Sequence, residues 1–166
     1  MIGKLIKKIR TYFFTCICRK SAKECGSNLH INHWSRFTSK TFIGNNCHFN
    51  GIKITGKGKV VIGDNFHSGA NVLILTSNHN YDTGKSIPYD DTTIDGDVFI
   101  EDNVWLGQNV TLLQGIRIGE GAVIQAGSVV VSDIAPCSIA GGHPAKVFKM
   151  RDEQHYHNLK AENKFF

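Results

Sequence analysis

Few residues in this chain are equipped for acid–base or nucleophilic chemistry, and their spacing narrows the choice further. There are eight histidines and five cysteines. The cysteines (Cys16, Cys18, Cys25, Cys47, Cys137) form no CxxC pair and no zinc-ribbon spacing. An odd count with no pairing framework reads as reduced thiols in a cytoplasmic protein. A zinc hydrase would need three histidines around an open metal position. His48 and His67 fall at like places in successive blocks and supply two ligands at best, and no histidine lies between His79 and His143. No metal is therefore expected. His79 stands in the segment TSNHNYD, at the mouth of a polar stretch. An imidazole titrates near neutrality, so its free base can take a proton from a hydroxyl at physiological pH. No Ser, Cys or carboxylate constellation competes with it nearby at motif spacing. By residue type alone, one histidine among eight is more often structural than catalytic, so its surroundings must decide.

Those surroundings are a repeat. From Ile94 an aliphatic residue recurs every six positions: Ile100, Leu106, Leu112, Ile118, Ile124 and Val130 follow. Three residues after each stand Asp97, Asn103, Asn109, Gly115, Gly121, Gly127 and Asp133. These types tolerate positive φ and can turn a corner. One residue further on, Val98, Val104, Val110, Ile116, Ala122, Ser128 and Ile134 are all small or branched. A strand has period two and a helix about 3.6, so period six with corner residues predicts an all-β chain of hexapeptide repeats, a left-handed parallel β-helix. The blocks IGNNCH at Ile43 and IGDNFH at Ile62 share the grammar, with SGANVL and ILTSNH in step after the second. Ile62 and Ile94 are 32 residues apart, two more than a multiple of six, so a segment must leave the coil between them. The polar stretch 78–91, which contains a Gly and a Pro, fits that role.

The ends read differently. Ile2, Leu5, Ile6, Ile9, Phe13 and Ile17 fall at helical spacing, with Lys4, Lys7, Lys8 and Arg10 between them. This predicts a helix over 1–22, used either to cap the prism or pack on a neighbouring subunit, or to lie on a membrane surface. The β-helix is expected over 27–147, and a second helix over 151–163, covering the open end of the coils. The whole of 1–166 reads as one domain. At 41% hydrophobic and 20% charged residues, the composition is that of an ordinary globular protein. The net charge of +5 is modest and gathers at the ends, so a nucleic-acid partner is not expected but local anionic contacts are. No apolar run has the length of a membrane span. Thr15 interrupts the apolar start and no small-residue cleavage site follows, which argues against a signal peptide. The expected location is cytoplasmic, or peripheral at the inner membrane face if the helix binds lipid.

The stretch from Ile100 to Arg151 carries DNVWLG, QAGSVV and GGHPAKV. In combination these motifs resemble the hexapeptide-repeat acetyltransferases, among them galactoside, maltose, nodulation-factor and polysaccharide O-acetyltransferases. The resemblance implies a homotrimer of parallel prisms, with acetyl-CoA as donor in each groove between subunits. It implies a single histidine acting as general base, and His79 stands at the matching place. The acceptor hydroxyl would then attack the thioester directly. Trp105 matches a residue lining the acetyl-CoA groove, and Gln108, Ala126, Val131 and Ser132 match other cofactor contacts. Many relatives carry Thr-Lys where this chain has Val131-Ser132, which removes one phosphate contact; Lys146, Lys149 and Arg151 are placed to supply that charge. Asn50, Tyr81 and Asp82 are acceptor-side candidates. The implied acceptor is a sugar or polysaccharide unit. An antibiotic acceptor is the runner-up within this class, and a non-catalytic β-helix binding module is the alternative outside it.

Overall fold

The period of six becomes strands of two to four residues joined by corners. In the computed structural model, which describes residues 2–166, they stack into a left-handed parallel β-helix of about six turns, with a helix at each end. One face holds β1 (Glu24–Cys25), β3 (Thr41–Ile43), β6 (Val60–Ile62), β11 (Val98–Ile100) and β14 (Arg117–Ile118). The second holds β2 (His30–Ile31), β4 (His48–Phe49), β7 (His67–Ser68), β12 (Trp105–Leu106), β15 (Val123–Ile124) and β17 (Ser138–Gly142), with β18 (Ala145–Met150) folded back antiparallel onto β17. The third holds β5 (Ile52–Thr55), β8 (Val72–Leu75), β13 (Thr111–Leu112) and β16 (Val129–Val130). The helices are α1 (Ile2–Cys18) and α2 (Glu153–Ala161); the strands extend about three residues beyond the expected 27–147 at each end.

Both inward columns read from the sequence fill the prism. Leu106, Leu112, Ile118, Ile124 and Val130 are fully buried and Ile100 is 2% exposed. Val98, Val104, Val110, Ile116 and Ala122 are buried beside them. Each such side chain contributes roughly 1.5–3 kcal/mol by leaving water. The corners form as expected at Asn103, Asn109, Gly115, Gly121 and Gly127, whose φ values run from 57° to 77°. Asp97 and Asp133 are different. They do not adopt positive φ; instead their carboxylates accept the backbone N–H of Lys59 and Arg117, each at 2.7 Å. An acidic side chain at a corner caps the neighbouring coil where a left-handed residue would have turned it.

Asparagines at one corner also bond to each other. Asn28 donates to Asn46, Asn46 to Asn65 and Asn65 to Asn103, at 2.6–3.0 Å, and Asn103 donates to the Tyr156 hydroxyl. That hydroxyl belongs to α2. The helix has no buried residue and lies along this corner rather than over the open end of the coils, where the sequence reading put it. Its N-cap is Asp152, whose carboxylate accepts from the His155 N–H.

The start of the predicted N-terminal helix, residue 1, lies outside the described residues. α1 packs on β2 through the face opposite its aliphatic stripe. Ile31 donates its N–H to Thr15 Oγ1 at 3.0 Å, and Thr11 Oγ1 donates to Asn32 Oδ1 at 2.8 Å. Cys18 is buried and Phe14 meets Trp34 edge-on. Leu5, Ile6, Ile9 and Phe13 point away from the prism and are exposed.

A regular coil spans 18 residues, as from Ile100 to Ile118, whereas Ile62 to Ile100 takes 38. The excess leaves the prism as an antiparallel hairpin, β9 (Ser77–His79) on β10 (Thr93–Asp95). It is wider than the expected 78–91. It also takes Ile94 out of the inward column: that residue is half-buried opposite Asn78 in the hairpin.

Candidate active site

The hairpin begins at Thr76, a fully buried hydroxyl. Its Oγ1 donates to the Thr55 carbonyl at 3.0 Å and accepts the Gly58 N–H at 3.1 Å. The polar side chain thus satisfies two backbone groups where the coil breaks phase. Ser77 Oγ accepts the Lys57 N–H at 2.7 Å, which ties the first hairpin strand to the coil below. Beyond the strands, the loop is closed by its own side chains. Asn80 Oδ1 accepts from the N–H and hydroxyl of Thr83, both at 3.1 Å, and its amide donates to Thr92 Oγ1. Asp90 accepts from the Lys85 and Thr92 N–H groups and the Thr92 hydroxyl; that hydroxyl, then the two N–H groups, hold its carboxyl below the usual range. At Gly84 a Cβ would stand 2.6 Å from the Asn80 carbonyl oxygen, so only glycine lets the strands of the loop approach this closely.

This frame presents His79. The residue is exposed, its backbone N–H donates to Asn78 Oδ1 at 2.9 Å, and its Cα pairs with Thr93 across the hairpin. The imidazole lies flat on Tyr89, with ring centroids 3.8 Å apart and planes at 16°. Among the described residues no hydrogen bond engages either ring nitrogen, so the ring has a set orientation and a free proton acceptor. Tyr81 and Asp82 follow on the exposed side of the same loop, where Tyr81 donates its N–H to the His79 carbonyl.

The other sequence-predicted residues divide between two edges of the third face. Trp105, 55% exposed, stands on the second face with His67 and Val123 as its neighbours across the strands. Gln108 and Ala126 are exposed and stack in the turn from the second to the third face; a Cβ at Gly107 would lie 2.5 Å from the Ala126 nitrogen. Val131 and Ser132 are exposed at the opposite edge, just after β16. Within one chain these positions are divided between the second face and the two edges of the third, and Trp105 borders a cleft with His67 and Arg151.

Lys146 and Lys149 are exposed on β18, opposite Gly141 and Ile139. Arg151 donates through Nη1 to the Gly121 carbonyl at 2.9 Å, and its guanidinium lies over the Tyr156 ring. Asn50 is also committed, accepting from the Asn32 amide and donating to the Ser68 carbonyl. It faces a cleft of about 730 Å³ between α1 and the second face, away from the hairpin that carries His79.

The sequence placed His48 and His67 in register but missed His30. It lies one 18-residue coil before His48 and completes a stacked column with successive centroids 4.5 Å apart. Burial, then the neighbouring His67 and His30, push His48 down to about 4. Among the described residues no group of three or more His, Cys, Asp or Glu could hold a metal ion.

The comparisons with known proteins agree on the class. Residues 97–132 match the family described as bacterial transferase hexapeptide (six repeats). A hexapeptide-repeat-containing acetyltransferase from Vibrio cholerae, solved with acetyl coenzyme A, is 26% identical over 89% of this chain and 84% of that one, with a TM-score of 0.73. A maltose O-acetyltransferase from Clostridium difficile is 28% identical over 89% of this chain and 85% of its own, with a TM-score of 0.60. A galactoside acetyltransferase in complex with coenzyme A, 24% identical over 92% and 82%, shares the fold with a TM-score of 0.71. No curated protein sequence matches.

Proposed function

We propose that this protein is an acetyl-CoA-dependent O-acetyltransferase acting on a hydroxyl of a sugar or polysaccharide unit. One observation carries the reading: an otherwise regular coil gives up 20 residues to a self-braced hairpin that holds one imidazole flat and open to solvent. A passive binding module has no use for that construction. The neighbours that hold acetyl-CoA or coenzyme A on the same fold support the donor.

In this mechanism His79 takes the proton of the acceptor hydroxyl as its oxygen attacks the thioester carbonyl. The carbon–sulfur bond breaks, an ester forms, and the thiolate of CoA leaves with the proton returned by the imidazolium. Tyr81 and Asp82 flank the acceptor. Trp105, Gln108, Ala126, Val131 and Ser132 line the donor's path, and Lys146 and Lys149 meet its phosphates. A second copy supplies part of that path, which makes the working form a homotrimer. Asn50, whose amide already bonds Asn32 and Ser68, and Arg151, whose Nη1 holds the Gly121 carbonyl, are given no role in this reading.

The test is a screen of sugars, polysaccharide units and antibiotics that follows release of free CoA. Release with a saccharide acceptor is expected. Release only with an antibiotic would favour the runner-up acceptor. Absence of both turnover and acetyl-CoA binding by calorimetry would leave the binding-module reading standing.

A further inference from the structure

The outer side of α1 has no part in this chemistry. Leu5, Ile6, Ile9, Tyr12 and Phe13 are 60, 60, 59, 74 and 56% exposed. At about 100° per residue they share one side of the helix, and Thr11, Thr15 and Cys18, which pack on the prism, share the other. A helix ordinarily turns its apolar stripe to the core. Here the stripe faces out, and a contiguous apolar surface of this kind needs a cover.

Charge indicates which cover. Seven of the chain's 19 Lys and Arg, from Lys4 to Lys23, precede its first acidic residue, Glu24. Packing the stripe against the same helix of a second copy would bring two such cationic segments together, with no carboxylate in either to offset the repulsion. An anionic bilayer surface satisfies both features at once. Its acyl boundary takes the apolar side, and Lys8 and Arg10, about a quarter-turn to either side of the stripe, reach the headgroup phosphates. We infer that α1 docks this protein in the plane of an anionic lipid surface through Leu5, Ile6, Ile9, Tyr12 and Phe13. Among the described residues no helix is long and apolar enough to cross a membrane, so the contact proposed is a surface one.

The inference is independent of the reaction at His79, and so is its test. The full chain is sedimented with phosphatidylcholine vesicles, with and without added phosphatidylglycerol. Binding is expected only with the anionic lipid, weakening as salt rises. The Ile9→Glu/Phe13→Glu variant, whose changes face solvent, should keep its circular dichroism spectrum and bind at least tenfold more weakly. Lys8→Gln/Arg10→Gln should lose about fivefold per charge removed. Failure of the wild-type chain to bind anionic vesicles overturns the inference. So does binding that survives Ile9→Glu/Phe13→Glu. A change in that variant's mass by light scattering without vesicles also overturns it, because a second copy would then be the cover.

Discussion

In the proposed mechanism Tyr89 is a positioning residue: its ring lies flat against the His79 imidazole at 3.8 Å and holds the plane of that ring. A stacked pair is worth about 0.5–1.5 kcal/mol beyond burial. Tyr89→Ala should therefore lower kcat roughly 2- to 10-fold, and Tyr89→Phe, which keeps the ring, should restore it. Steady-state rates decide this; an Ala variant as fast as wild type would remove the stack from the mechanism. His48 poses a different question at the same scale. Its folded pKa of about 4 lies below the ordinary imidazole value of 6.5. Above 6.5 it is neutral folded and unfolded and contributes nothing. As pH falls from 6.5 to about 4 the unfolded chain takes up a proton that the folded chain refuses, so stability declines across that window. His30 and His67 face it along the column, Phe166 packs against it, and Lys7 and Lys8 from α1 line the same cleft. Burial also lowers His67, so urea midpoints measured through this range should fall for wild type and fall less steeply for His48→Phe; parallel slopes would contradict the assignment.

The asparagine corner is the element on which the coils keep their register. Asn65 has φ of 55°, accepts from Asn46 and donates to Asn103. Asn65→Ala loses those bonds and places a Cβ in the left-handed region, for a cost of about 2–3 kcal/mol. Asn65→Gly keeps the backbone permission and should cost roughly 1 kcal/mol. Urea unfolding separates the two, and equal stabilities would show that the corner conformation carries no energy. What the sequence revealed follows from the same physics. Each coil repeats one demand, an aliphatic in and a left-handed residue at the turn, so Leu106 to Val130 and Asn103 to Gly127 were legible as columns. Elements outside the coil answer to no period. Ile94 falls in phase by spacing yet belongs to the hairpin, because an antiparallel strand also accepts an alternating pattern. The stripe of α1 was legible, but not that Thr11 and Thr15 would turn the opposite side to the prism by hydrogen bonding to β2. His79 was legible because the break in phase drew attention to it; Tyr89, ten residues on, was not, because a loop brings it back with no sequence rule.

At the scale of the whole molecule, Trp105, Gln108, Ala126, Val131 and Ser132 are divided between different edges of one prism, so a donor that meets all of them must touch two copies. Light scattering at micromolar concentration should give about three times the chain mass of 18.4 kDa; a mass of one chain would count strongly against a shared site. The central claim is that His79 is the base in that site, and the most direct measurement is kcat for His79→Ala on an acceptor the wild type uses, with acetyl-CoA affinity measured alongside. Folding and donor binding should be unchanged, kcat should fall roughly 10²- to 10⁴-fold, and His67→Ala should have a far smaller effect. Turnover by His79→Ala within a few-fold of wild type would contradict that claim.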